Sequence, residues 1–299
     1  MMETFRKIRK KWHNDVELVA DLHHNDTHSR LETLFSYCQN EFLKSQGLDL
    51  TQTDKYRYFA ELHRLLTVQE IADPQVGYCR IGRPNDGGYV MVDHFPGKVA
   101  YSLGIAGDVS WDREMAGRGF DIYMYDHTIE HLPEQNPHYH WEKLGVSGIA
   151  GAAENLKTLP ELLERNGHTG QKGIVLKIDI EGFEWDALAN AGEATLDCFD
   201  QIVGEFHDFL RMDKREQILA GLRALNKTHQ LVYVHPNNGG EVAYCGDLMM
   251  PSLLEVVFVR RASYSFRPST LLFPTALDQP CLADRAEVEL GRWNMPEQG

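Results

Sequence analysis

The densest chemistry in the chain lies in Lys177-Ile178-Asp179-Ile180-Glu181-Gly182-Phe183-Glu184. Charged residues alternate with isoleucines at the end of an otherwise apolar run, residues 173–178. Charge at the exit of a buried strand is costly unless it is paired or put to use. Gly182 lets the chain turn away sharply. A Lys177–Glu181 ion pair followed by a helix cap would account for the same residues without any ligand. Two further strand-like runs end in Gly204-Glu205-Phe206-His207-Asp208 and in His235-Pro236-Asn237-Asn238-Gly239-Gly240. One sheet carrying all three runs would gather Asp179, Glu181, Glu205, His207 and His235 on a single rim. Carboxylates beside a histidine can supply a general base or hold a divalent metal.

A second group of residues has the spacing of a cofactor turn. Ser102-Leu103-Gly104-Ile105-Ala106-Gly107-Asp108-Val109-Ser110-Trp111 follows the apolar run 99–103. Two glycines three apart let the backbone turn and approach a ligand closely, and Asp108 or Ser110 could cap the helix that follows. The middle glycine of GxGxxG is absent. Asp126 lies 22 residues beyond Gly104, at the end of the run 121–125. An acid there can accept both ribose hydroxyls of an adenosine-type cofactor. A tight strand-to-helix turn with a turn-capping aspartate is the alternative. Upstream, Arg83, Pro84, Asn85, Asp86, Gly87 and Gly88 cluster between two β-prone runs, 78–81 and 89–92, and read as a hairpin or glycine-kinked loop.

These residues need a sheet to position them, and from residue 99 the rhythm is strand, loop, helix. Strands are expected at 99–103, 121–125, 141–146, 173–178, 201–205, 230–234 and 253–259. Helices are expected at 157–165, 184–191 and 214–225. This alternation implies an α/β fold, a mostly parallel seven-stranded sheet covered on both faces. The last two strands, with no helix between them, form an antiparallel closing hairpin. Ligands of such sheets bind at the carboxyl ends of the strands, where strand order reverses. Three segments are expected: a helical N-terminal extension over residues 1–76, the α/β domain over 77–262 and a tail over 263–299. In the extension, Leu31, Leu34, Phe35, Cys38 and Phe42 recur at helical spacing, as do Tyr56, Phe59, Leu62 and Leu66. The extension would serve as a lid over the site or as an interface.

Bulk properties narrow the partners. A net charge of −14 over 299 residues leaves no broad cationic surface for a phosphate backbone, so nucleic acid is not expected. Arg6, Lys7, Arg9, Lys10 and Lys11 form a short basic run, read as a solvated helix end. No apolar run approaches the ~20 residues that span a bilayer, and no h-region marks a signal peptide. Cys38, Cys79, Cys198, Cys245 and Cys281 are odd in number, widely spaced and without CxxC. This suits a reducing, cytoplasmic setting rather than a disulfide framework.

The chain resembles the FkbM-type methyltransferases and their methyltransferase-like relatives. The resemblance rests on residues 80–92 (RIGRPNDGGYVMV), 102–112 (SLGIAGDVSWD), 122–128 (IYMYDHT), 156–163 (LKTLPELL), 175–188 (VLKIDIEGFEWDAL) and 203–207 (VGEFH). It covers roughly residues 78–260. It implies a Rossmann-like class I fold, S-adenosylmethionine as cofactor, and O-methylation of a hydroxyl on a sugar, glycan or other small-molecule natural product. By position, Gly104 and Gly107 would face the cofactor, Asp126 its ribose, and Asp86, Gly87 and Gly88 its methionine end. Asp179 and Glu181 would flank methyl transfer, with Glu205 or His207 as base or a divalent metal near Asp179. Ser102 stands where many class I enzymes have an acid, so the cofactor's amino group would be met by Asp108 or Asp179. Two other readings share these features: a nicotinamide-dependent oxidoreductase, and a non-catalytic protein keeping a degenerate methyltransferase fold.

Overall fold

Strands that are apolar at consecutive positions must be covered on both faces, and that condition shapes the molecule. The computed structural model describes residues 26–294. The basic run from Arg6 to Lys11 lies outside the described residues. Helices α1 (Asp26–Ser45) and α2 (Asp54–Leu65) precede β1 (Gln69–Ile71) and a hairpin of β2 (Tyr78–Ile81) and β3 (Tyr89–Val92). Then come β4 (Val99–Leu103), α3 (Ser110–Gly117), β5 (Asp121–Tyr125), β6 (Tyr139–Glu142), and the short pair β7 (Gly145–Val146) and β8 (Leu156–Lys157). Next are α4 (Leu159–Arg165), β9 (Ile174–Ile178), α5 (Glu184–Asn190), α6 (Glu193–Leu196), β10 (Phe199–Phe206) and α7 (Arg215–Thr228). The chain continues through β11 (His229–Pro236), a hairpin of β12 (Val242–Cys245) and β13 (Leu248–Pro251), β14 (Leu254–Arg260) and β15 (Phe266–Pro268).

Seven strands form one mixed sheet in the order β6-β5-β4-β9-β10-β14-β11. The five strands from β6 to β10 pair in parallel. β14 inserts antiparallel between β10 and β11. Every residue of β9 is buried, as is every residue of β11, so helices must lie on both faces. Local signals start those helices where the sequence says. Thr158 and Glu161 form a reciprocal capping box at the head of α4, satisfying two backbone donors that the first turn leaves free. Strand order reverses between β4 and β9, so their carboxyl ends open a crevice.

Two expectations need correction. The third strand is Tyr139–Glu142, not residues 141–146; the chain breaks at Lys143, and Gly145–Val146 pairs separately with Leu156–Lys157. β11 and β14 pair antiparallel, and the link between them carries the β12–β13 hairpin. The apolar stripe of α1 is not its docking face: Leu34, Cys38 and Phe42 are exposed. That helix docks through polar side chains. Thr33 Oγ1 accepts from the Val242 backbone N–H, Ser36 Oγ from Tyr244 and Asn40 Oδ1 from Gly246, at 2.9, 2.9 and 2.8 Å. Alternate N–H groups of an edge strand need partners, and this ladder supplies them. Hydrophobic periodicity is blind to it. The stripe on α2 does dock as read, with Phe59, Leu62 and Leu66 buried.

The tail, weakly periodic in sequence, is built into the molecule. β15 pairs antiparallel with β1. The Trp293 indole N–H donates to the Leu66 carbonyl at 2.9 Å, and its ring lies 4.5 Å from that of His63. The Asn294 side chain bonds both backbone groups of Val68 at 2.8 Å. Trp293→Ala is therefore expected to cost about 3–5 kcal/mol of stability, read as a lower denaturant midpoint. An unchanged midpoint would make the tail an appendage.

Candidate functional site

The site begins where the chain leaves β4 and passes over the end of β9. Asp179 N–H donates to the Leu103 carbonyl at 3.0 Å, and Lys177 Nζ donates to the Gly104 carbonyl at 2.5 Å. A Cβ on Gly104 would stand 1.7 Å from the Asp179 carbonyl oxygen, and Gly104 has φ +78°. Only glycine fits both demands. The turn is braced from β5. Asp126 Oδ2 accepts from the N–H groups of Ile105 and Ala106, both at 2.9 Å, and Oδ1 accepts from Thr128 N–H at 2.7 Å and its hydroxyl at 2.6 Å. A carboxylate has about four acceptor positions, and all are in use. Burial raises the Asp126 pKa, but these hydrogen bonds outweigh it and hold the group below the usual carboxylate value.

The strand ends floor a cavity of about 980 Å³. Of the residues expected to form a site, Asp86, Gly87, Gly104, Gly107, Asp108, Asp126, Asp179, Glu181 and Glu205 line it. Gly88, His207 and His235 do not. Gly88 lies behind the loop, where a Cβ would meet the Arg83 carbonyl at 2.2 Å. Lys177 lines it too, as do residues not expected from the sequence: Tyr89, Asp112, Phe183, Asn237, Cys281 and Leu282. Among the described residues none before Arg83 lines it. The tail reaches it through Cys281 and Leu282. Asn85 N–H donates to Gln279 Oε1 at 3.1 Å and Asn85 Nδ2 to the Pro280 carbonyl at 2.7 Å, tying the tail to the β2–β3 loop.

Electrostatics sort the acidic rim. His207 Nδ1 lies 3.1 Å from Glu184 Oε1, and its Nε2 lies 3.1 Å from Glu205 Oε1. Burial by itself would lower the His207 pKa. The hydrogen bonds and charges of Glu184 and Glu205 overcome it and push the pKa up to about 11. The ring is therefore an imidazolium that donates from both nitrogens, with no lone pair left to accept a proton. Glu184 is fully buried and also accepts from the N–H groups of Ile180 and Gly182, at 2.9 and 3.3 Å, so one anion clamps the loop after β9 to β10. Burial raises the Glu205 pKa, opposed by His207, and its second oxygen accepts from Asn237 Nδ2 at 2.5 Å.

Asp179 is the acid left open. Its Oδ2 accepts the Tyr89 hydroxyl at 2.9 Å, and Oδ1 stands 3.9 Å from His207 Nε2. Burial and the Asp179 charge hold Tyr89 well above its ordinary pKa, so its hydroxyl stays a donor. Glu181 has φ +57°, with its side chain 87% exposed at the cavity mouth. Ligand atoms of Asp179, Glu205 and His207 lie within 4.8 Å of one another. A cation there would have to take the place of the Nε2 proton between His207 and Glu205, with the Nδ1 bond to Glu184 left in place. His235 belongs elsewhere. Its Nδ1 meets Glu255 at 2.9 Å and its Nε2 meets Glu287 of the tail at 3.2 Å, while Cys281 Sγ bonds Glu255 at 3.3 Å. Burial lowers the His235 pKa, but these carboxylates push it up to about 10.

No model of a protein family matches the chain, and no curated protein matches it. Among solved structures, it is similar to a SAM-dependent methyltransferase from Agrobacterium tumefaciens at 13% identity and a TM-score of 0.32. The match covers 56% of this chain and 56% of that one. A likeness of that size carries no argument about what this chain does.

Two outcomes test the geometry. Gly104→Ala is expected to abolish ligand binding at the cavity, checked by calorimetric titration with cofactor candidates; retained binding would mean the strand ends can part. His207 has a pKa of 6.5 unfolded and about 11 folded, so it takes up a proton on folding between those values. Its stabilisation is complete below pH 6.5 and is lost as pH rises toward 11. Melting curves from pH 7 to 10 should therefore fall more steeply for the wild type than for His207→Gln. Parallel slopes would contradict the assignment.

Proposed function

We propose that the cavity binds S-adenosylmethionine and that the protein transfers its methyl group to a hydroxyl oxygen of a sugar, glycan or related small molecule. The observation that carries this reading is the charge of the cavity at the β4–β9 switch. Asp86, Asp108, Asp112, Asp126, Asp179, Glu181, Asp186 and Glu205 line it against Arg83 and Lys177. A sulfonium cofactor with an ammonium group suits such walls. The pyrophosphate of a nicotinamide cofactor would face repulsion, and this lining offers it few cations. The antiparallel β14 and the resemblance of the 177–184 run to FkbM-type methyltransferases support the same choice. Five free thiols support a reducing, cytoplasmic setting. Among the described residues no helix is long and apolar enough to cross a membrane.

The cradle under Gly104, which a Cβ would fill, suits the close backbone approach of such a ligand. Its ribose would replace the Thr128 hydroxyl as a partner of Asp126 Oδ1, the one bond there that can rotate away. Bound in this way, S-adenosylmethionine supplies an activated methyl on a good leaving group. The protein's task is then alignment and removal of the acceptor's proton. His207 is already protonated and Glu205 is bonded at both oxygens, so the proton passes to Asp179 Oδ1. Tyr89 and the imidazolium hold that carboxylate in place. Phe183, 62% exposed at the mouth, offers an apolar face to an acceptor ring beside the Glu181 carboxylate. An open acid of this kind favours an active enzyme over a degenerate fold.

Calorimetry with S-adenosylmethionine and with NAD is expected to show binding of the first and none of the second; the reverse would overturn the reading. With an acceptor in hand, Asp179→Asn is expected to lower kcat by roughly 10²- to 10⁴-fold, the usual contribution of general acid–base catalysis, with donor affinity held within a few-fold.

A further inference from the structure

Asp112 sits in the first turn of α3, on the wall of the cavity, and is 1% exposed. Among the described residues neither of its carboxyl oxygens has a hydrogen-bond partner of full geometry; only looser contacts reach it, from the buried Ser102 hydroxyl and its own backbone N–H. An unpaired buried carboxyl is costly, and its neighbours on the cavity wall show the contrast. Asp108 accepts from the Ser110 hydroxyl at 2.8 Å and the Ser110 N–H at 3.1 Å, with Arg83 at 3.5 Å. Asp126 has four donors. Asp179 has Tyr89. The nearby cation, Lys177, directs its ammonium at the Gly104 carbonyl. Burial holds the Asp112 pKa above its ordinary value, and Lys177 and the Ser102 hydroxyl pull it down only in part.

We infer that Asp112 is the counter-charge for the ammonium group of an amino-acid-bearing ligand in this cavity. The inference rests on the proposed methyl-donor site and deepens it. Strand β4 carries Ser102 two residues before Gly104, where the chain has no acid to offer. Asp112 brings one to the same place from the following helix. The geometry reassigns the amino group from Asp108 and Asp179, each of which already has a donor, to the buried acid on the wall that has no close one. A ligand ammonium there would supply up to three donors to its two carboxylate oxygens. The pair would be sealed from water at the bottom of the site, where a charge-assisted hydrogen bond is strong.

The test compares two probes on the full chain by calorimetry. S-adenosylhomocysteine carries the amino-acid end; 5′-methylthioadenosine keeps the adenosine and sulfur without it. Asp112→Asn is expected to raise the Kd for S-adenosylhomocysteine roughly 10- to 150-fold, the range for a hydrogen bond to a charged group, and to leave methylthioadenosine unchanged. Equal loss of both probes, or loss of neither, would overturn the assignment while leaving the methyl-donor site standing. Wild-type protein that binds neither probe would sink the underlying reading and this one with it. Should the variant not fold, the wild type answers alone: it is expected to bind the deamino analogue of S-adenosylhomocysteine roughly 10- to 150-fold more weakly than the parent, and equal affinities would refute the role.

Discussion

The approach of Gly104 to the carbonyl of Asp179 is the constraint on which the rest of the site depends. The two residues end neighbouring strands on either side of the point where strand order reverses. A side chain at Gly104 would push them apart, and the Lys177 bond to the Gly104 carbonyl would go with it. With them together, the turn after β4 and the loop after β9 share one crevice. The floor of the cavity and its open acid are therefore set by a single contact. Asp126 works to the same end from β5, spending its carboxylate on the backbone of that turn.

Once the strand ends are fixed, charge pairing decides what each acid can do. Glu184 is sealed in and has three donors, so it organises the loop instead of reacting. Glu205 and His207 neutralise each other. Glu181 is held at positive φ, a conformation that non-glycine residues adopt rarely and mostly where the surroundings impose it. Asp179 keeps one oxygen free over the cavity, and Asp112 keeps two without a partner of full geometry. A rim that reads in sequence as a uniform group of carboxylates is divided by hydrogen bonding into structural and available members.

Much of this was legible in the residues themselves. The apolar runs located the strands, and the charged residues closing them marked the crevice, because few structural reasons put charge there. Role assignment was less legible. His207 looks like a base by residue type, and only its two carboxylate partners make it a fixed cation. His235 shares the strand-end signature yet serves to hold the tail. Asp112 was passed over because it falls inside a helix, where an acid in the first turn ordinarily faces solvent and favours the helix dipole. The tail and the polar face of α1 carry no periodic signal, since both are held largely by side-chain to backbone hydrogen bonds between segments distant in sequence.

The most direct test of the account is a crystal structure of the protein grown with S-adenosylhomocysteine. The account predicts the ligand in the cavity between the Gly104 turn and Asp179, its ribose at Asp126 and its sulfur facing Asp179. A ligand bound anywhere else, or an adenosine lying with its ribose away from Asp126, would contradict it.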